Sequence, residues 1–226
     1  MNTGDTAFMM ICAALVFFMT PGLAFFYGGL VRRKNVCNTI MACVAIMGLS
    51  VVMWTLFGYS LSFGGNHAGI IGDFRWFGLN GVGMEAGPYA DSIPHLVFCA
   101  FQMMFAMITP ALITGSLVGR MKFKALFLFV AIWSVIVYYP MAHMVWGDGG
   151  FLAAIGSVDF AGGDVVHISS GISALVLAII LGRRRGYEHT TYRIHNIPSV
   201  VLGASLLWFG WFGFNAGSAL KADGIL

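Results

Sequence analysis

Apolar residues run along this chain in long unbroken stretches. Six stretches are long enough to cross a bilayer, which takes about 20 mostly apolar residues. They cover residues 7–31, 38–63, 93–118, 125–146, 165–181 and 197–219. A spanning strand would need about ten residues of alternating polarity in a closed barrel, and these runs do not alternate. The pattern therefore predicts an all-α polytopic membrane protein with six spanning helices. The fifth run is the shortest and most polar, so its ends are the least defined. Pro21, Pro110 and Pro140 fall inside runs. They predict kinks or helix ends, tolerated where neighbours satisfy the freed carbonyls.

Composition agrees with that reading. Of 226 residues, 59% are hydrophobic and only 9% charged, against roughly 25% charged in soluble domains. A soluble fold of this size could not give so much apolar surface its polar cover. Cys12, Cys37, Cys43 and Cys99 include no CxxC pair. They read as small packing residues, not as a disulfide framework or a metal site. Residues 1–6 carry Asp5 and no basic residue, unlike the positive start of a secretory signal. The first run is expected to stay as a spanning helix.

Charge adds direction. Arg32, Arg33 and Lys34 follow the first run, Arg120, Lys122 and Lys124 the third, and Arg183, Arg184, Arg185 and Arg193 the fifth. Ten of the twelve basic residues thus sit in alternate loops; Arg75 and Lys221 are the exceptions. The positive-inside rule places those loops in the cytoplasm and the amino terminus outside. Eight of nine acidic residues lie in outer segments or near outer helix ends, Glu188 being the exception. The longest connection, residues 64–92, lies outside and reads either as a lid over an outer mouth or as an interfacial cap.

Small residues recur inside the runs. Gly203, Gly210 and Gly217 repeat every seven residues, with Gly213 beside them. Ser169, Ser170, Gly171, Ser173 and Ala174 form a second patch. Small residues let helices approach closely in lipid.

Candidate chemistry lies in polar groups at membrane depth. His167 falls in the fifth run, close behind Asp159 and Asp164. Ionisable groups there are costly and mark functional sites by default; a core histidine satisfied by a serine is the plain alternative. Asp159 opens the run Asp-Phe-Ala-Gly-Gly-Asp-Val-Val-His. It reads as a helix N-cap before a tight glycine turn, as a carboxylate whose field favours a cation, or as both. Phe105, Trp146 and Phe214 fall near the outer ends of the third, fourth and sixth runs. Ring faces attract cations, and aromatic belts also occur at every membrane interface. Ser218, one turn beyond Phe214, adds a hydroxyl acceptor or packs. His143 lies 24 residues from His167, and without an HxxxH-like pair a metal site of His143, His167 and Asp159 is weakly supported.

Four segments carry a family resemblance: Phe-Tyr-Gly-Gly-Leu-Val-Arg-Arg-Lys-Asn at 26–35, Ala-His-Met-Val-Trp-Gly at 142–147, Asp-Phe-Ala-Gly-Gly-Asp-Val-Val-His-Ile at 159–168, and Gly-Trp-Phe-Gly-Phe-Asn-Ala-Gly-Ser at 210–218. In order and spacing they resemble the ammonium transporters of the Amt/Rh family, Amt branch. The resemblance implies that Phe105, Trp146 and Ser218 match an outer ammonium-recruiting site. It implies that Phe105 and Phe214 match a stacked gate, Asp159 a buried aspartate nearby, and His167 the first of two pore histidines of a proton relay. Met103 departs from the family's small residue after Gln102.

The family pattern is two inverted five-helix repeats plus one further helix. Residues 1–226 match its N-terminal part, the first repeat and the first helix of the second. The chain alone is then expected not to conduct, with the glycine face of its sixth helix left to lipid. The resemblance further implies transport of ammonium or ammonia, no enzymatic activity, no cofactor, no metal and no nucleic-acid partner. It implies a homotrimer in the cell (plasma or inner) membrane and a PII-type signalling protein on the cytoplasmic face. An ammonium sensor fused to a signalling domain is the alternative.

The charge pattern makes a first prediction. Reporter fusions in the 183–193 loop should read as cytoplasmic, and fusions in the 64–92 connection as external; the reverse result would overturn the topology.

Overall fold

A computed structural model describes residues 1–184, 186–189 and 191–223. Arg185, counted above in a basic loop, and residues 224–226 lie outside the described residues. Among the described residues, six helices are long and apolar enough to cross a membrane. The first is Thr3–Leu30. The second runs through Val36–Met53, Trp54–Gly58 and Tyr59–Phe63. The third is His95–Leu117. The fourth comprises Phe123–Trp133, Ser134–Tyr138 and Tyr139–Trp146. The fifth comprises Gly163–Ile168 and Ser169–Leu181, and the sixth is Ile197–Gly217.

Pro21 and Pro110 do not end their helices, contrary to one reading of the sequence. Pro140 does leave a mark, because the turn just before it, Ser134–Tyr138, is wound wide as a π-helix. Proline has no N–H, and its ring crowds the carbonyl four residues back, so an opened turn relieves both faults. The π turns at Trp54–Gly58 and Gly163–Ile168 contain no proline, and we have no local cause for them. Asn2 and Asn196 cap the first and sixth helices, their side-chain oxygens accepting from Gly4 and Asp5 and from Ser199. Those caps meet the rule that backbone donors at membrane depth need internal partners.

The third helix is the hub. It packs against the first, second and fifth helices, and 67% of its apolar window is buried, against 22% in the fifth and in the sixth. Ser169 and Ser170 of the fifth helix are buried. Their hydroxyls donate back to the carbonyls of Val165 and Val166. Of the small-residue patch, these two serines face the bundle, whereas Gly171 is exposed.

The closest helix pair is the first with the sixth. A Cβ at Gly203 would fall on the backbone nitrogen of Phe26 and 2.5 Å from the Gly22 carbonyl oxygen. One at Gly29 would lie 2.7 Å from the Asn196 carbonyl oxygen. Backbone meets backbone along this seam, where dispersion replaces the hydrophobic effect that lipid removes. The expectation that the sixth helix would leave its glycine face to lipid is thereby corrected. The first helix of this same chain covers that face: Gly203 lies against Gly22 and Phe26, Gly210 against Leu15 and Met19, and Gly213 against Cys12 and Leu15.

The two ends of the described residues lie together, with the Ala222 N–H donating to the Asp5 carboxylate. The 64–92 connection is ordered over the same end. It carries a short turn, Phe77–Leu79, and an antiparallel ribbon, Ala86–Gly87 with Ala90–Pro94. Asp73 anchors it. Partial burial pushes the Asp73 carboxyl up, but N–H donors from Arg75 and Gly65 and the Arg75 guanidinium outweigh that and hold it below its ordinary value. The anchor is therefore complete at neutral pH and fades as the pH falls through that lowered value. The basic loops meet at the opposite end, where Arg120 donates to the Gly182 carbonyl and Arg184 to that of Val118.

The helix seam can be tested directly. Gly203→Ala should destabilise the protein by about 1–3 kcal/mol, the usual cost of overpacking, because only backbone surrounds the new methyl. Gly171→Ala should be nearly silent, since a Cβ there meets nothing within 4 Å. Thermal unfolding in detergent compares the two, and equal melting temperatures would contradict the seam.

Candidate functional site

At the end that holds the termini, an open cavity of about 320 Å³ dips into the bundle. Phe105, Trp146, Asp159 and Ser218 line it, from the third helix, the fourth helix, the following turn and the end of the sixth helix. Residues more than a hundred positions apart are thus brought to one wall. Asp159 is the only charged residue lining the cavity among the described residues.

Rings continue inward from the cavity in an unbroken file. Trp146 meets Phe105 edge-on, centroids 5.8 Å apart at 85°. Phe105 meets Phe214 at 4.3 Å. Phe214 stacks with the His167 imidazole at 6.0 Å, and Trp211 flanks the same imidazole at 5.9 Å. Phe105 and Phe214 are each 1% exposed, so together they close the cavity floor. His167 lies behind that floor on an exposed face, and its ring nitrogens make no hydrogen bond to any described residue. A serine-satisfied core histidine, the plain alternative, is not what the structure shows.

Asp159 builds the local geometry. One carboxylate oxygen accepts from the N–H groups of Gly162 and Gly163, at 2.5 and 2.7 Å. The other accepts from Asp164 and Val165, at 2.8 and 3.0 Å. Gly162 takes the left-handed φ of 94° that this turn requires, a conformation glycine adopts without steric cost. The carbonyl of Asp159 also accepts the Trp146 indole N–H at 2.9 Å. One residue therefore fixes both the start of the helix carrying His167 and the plane of the Trp146 ring. The Ser218 hydroxyl donates to the Phe214 carbonyl at 2.9 Å. Its hydrogen is thus committed and its oxygen lone pairs remain free to accept.

Three lining or flanking residues carry no signal of their own in the sequence. Gln102 lines the cavity, and its side-chain oxygen is buried with no hydrogen-bond partner. Tyr89, from the 64–92 connection, lines it while stacked on Phe98, centroids 5.3 Å apart. The connection thus contributes part of the wall. Trp211 sits within the 210–218 segment, where nothing sets it apart from its neighbours. His143 belongs elsewhere: it is fully buried and bonded to the Ser62 carbonyl and the Asn66 side chain. Among the described residues no three His, Cys, Asp or Glu side chains gather as a metal site.

The cap predicts a stability difference. Asp159→Ala takes the acceptor from four N–H groups, and loss of a helix N-cap costs about 0.5–2 kcal/mol, so its melting temperature should fall measurably. Asp164→Ala loses one hydroxyl bond, from Ser157, and should fall far less. A similar fall in both would show that the cap does not organise the site.

Comparison with known proteins now places this architecture. The model of the Ammonium Transporter Family matches residues 7–226. An ammonium transporter of Bacillus subtilis is 52% identical over 225 residues, covering 100% of this chain and 55% of the relative. One from Aquifex aeolicus is 51% identical, covering 99% and 52%. The crystal structure of Saccharomyces cerevisiae Mep2 superimposes with a TM-score of 0.89 at 36% identity, covering 98% of this chain and 51% of that one. A structure described as a sensor Amt protein superimposes at 0.86 with 31% identity, covering 98% and 56%. The chain spans about half the length of the curated relatives it matches. With matching helices and a family model that runs almost end to end, this chain belongs to the ammonium transporter family.

Proposed function

We propose that residues 1–226 form the N-terminal half of a pathway that moves ammonium nitrogen across a cell membrane. The observation that carries the reading is the file of rings from Trp146 through Phe105 and Phe214 to His167. A cation entering the cavity meets electron-rich rings, each contributing about 0.5–2 kcal/mol. Ammonium also donates hydrogen bonds, and the Ser218 oxygen and the unpartnered Gln102 oxygen are acceptors at the wall. The Asp159 carboxylate adds negative charge beside them.

Potassium resembles ammonium in size and charge, so a site cannot sort them on size. Ammonium, however, can lose a proton. A charged group at bilayer centre costs about 2.5–3.5 kcal/mol or much more, and neutral ammonia avoids that cost. In this reading the cation waits in the open cavity and gives its proton to water there. Ammonia then passes when Phe105 and Phe214 part, and His167 beyond them serves the pore and its proton relay. His167 faces outward on this half, so a second half supplies the opposite wall. Orientation with the amino terminus outside, assembly as a homotrimer and docking of a PII-type protein belong to the same proposal. A sensory role is the second reading, favoured by the likeness to the sensor Amt structure. A signalling domain encoded after residue 226 would decide for it.

The test uses cells lacking their own ammonium transporters and the full-length protein. Trp146→Leu and Phe105→Ala should weaken apparent affinity for methylammonium by roughly 2–30-fold, the equivalent of one lost ring contact. Expression and unfolding temperature should stay close to the parent in Trp146→Leu, whereas Phe105→Ala empties a buried ring site and should also lower the unfolding temperature. Unchanged affinity in both variants would overturn the recruiting site.

A further inference from the structure

A second cavity, of about 540 Å³, opens at the other end of the bundle, among the basic loops. Its wall carries Arg32, Lys34, Arg120, Arg183 and Arg184, with Tyr192 between them. No carboxylate lines it among the described residues. Glu188, outside it, pairs with Arg183 at 2.6 Å and offsets one of those five charges. The positive-inside rule accounts for cations in these loops, but it does not require them to surround one hollow.

The cations are also held in place. Arg120 donates to the carbonyls of Ser116 and Gly182, joining the ends of the third and fifth helices. Arg184 donates to the Val118 carbonyl. Arg32 and Arg184 both lie over the Tyr192 ring, 4.8 and 5.1 Å from its centroid. Carbonyls satisfy the Arg120 and Arg184 guanidinium groups without neutralising them, and the ring orients Arg32 and Arg184. Lys34 makes no ion pair among the described residues. Like charges fixed around a concave surface repel one another, and a multivalent anion relieves all of them at once. Guanidinium groups match phosphate in shape and hydrogen bonding. Cavities of about 300–1,000 Å³ accept small ligands.

We infer that this cavity binds a phosphate-bearing anion, with Arg32, Lys34, Arg120 and Arg184 as its counter-charges and Tyr192 as the platform that positions two of them. The site is separate from the aromatic cavity and does not rest on the transport reading. Its phosphate comes either from a lipid headgroup at the membrane surface or from a soluble compound.

Purified full-length protein in a sugar-based detergent distinguishes the sources. One arm receives inorganic pyrophosphate, one phosphatidylglycerol, and one phosphatidylcholine as the control whose headgroup is neutral overall. Binding is read by native mass spectrometry and by the melting temperature. The expected result is saturable binding of pyrophosphate or phosphatidylglycerol, with a stabilisation of about 2 °C or more. Apparent affinity should weaken roughly fivefold in Lys34→Gln, as expected for one lost cation near a membrane surface, and further in Arg32→Gln/Lys34→Gln. Lys34→Gln removes no hydrogen bond or ion pair among the described residues and keeps most of the side chain's length, so its fold should survive. Binding of pyrophosphate assigns a soluble ligand, and binding of phosphatidylglycerol alone assigns a lipid headgroup. Failure of both to bind, or binding that the two variants leave unchanged, would overturn the site.

Discussion

Four backbone N–H groups converge on the carboxylate of Asp159, and the candidate site depends on that convergence. A helix begins with donors that have no partner inside it. Near a bilayer, an unmet donor costs more than it does in water. The carboxylate meets four at once, and its negative charge also suits the positive end of the helix dipole. Because the same residue's carbonyl holds the Trp146 indole, the position of the first ring and the start of the fifth helix cannot vary independently. His167 follows one turn later, and its place behind Phe214 is inherited from that start.

The second constraint is the seam between the first and sixth helices. Glycines on both sides let backbones touch. The seam fixes where the sixth helix stands, and with it Phe214 and Ser218. The third helix then completes the site by inserting Phe105 between Trp146 and Phe214. Function in this reading comes from three packing relations meeting at one ring. The closed floor follows from the same packing: two rings at 4.3 Å leave no open path between them, so passage requires their movement.

The two ends of the bundle use charge differently. At the end with the termini, one carboxylate is spent on backbone donors and the cavity is walled by rings and neutral acceptors. That surface suits a monovalent cation. At the other end, the cavity wall gathers cations and, among the described residues, no carboxylate, and carbonyls and Tyr192 brace its arginines. That surface suits an anion. The contrast follows the asymmetry of charge along the chain, yet only folding turns loops separated by more than sixty residues into one wall.

Much of this architecture is legible in the sequence alone. The six runs need only length and hydropathy, because a bilayer demands about twenty apolar residues whatever the fold. The family resemblance points to Phe105, Trp146, Asp159, His167, Phe214 and Ser218, and these do gather around one cavity and its floor. Asp159 as a cap is readable because capping is local: the residue and its donors lie within six positions. What lies beyond the sequence is every relation between distant positions. Periodicity shows that Gly203 and Gly210 share a face, but not that Gly22 and Gly29 lie across from it, so the pattern by itself hands that face to lipid. Nothing local marks Gln102 as an acceptor without a donor, since that depends on what its neighbours leave unfilled. Nor does a loop's composition reveal that Tyr192 sits between Arg32 and Arg184. Spans and caps are set by contacts within a few residues or with the solvent, and so are written in order along the chain. Cavities, seams and stacked rings are set by distances between helices, and only the packed tertiary structure decides those.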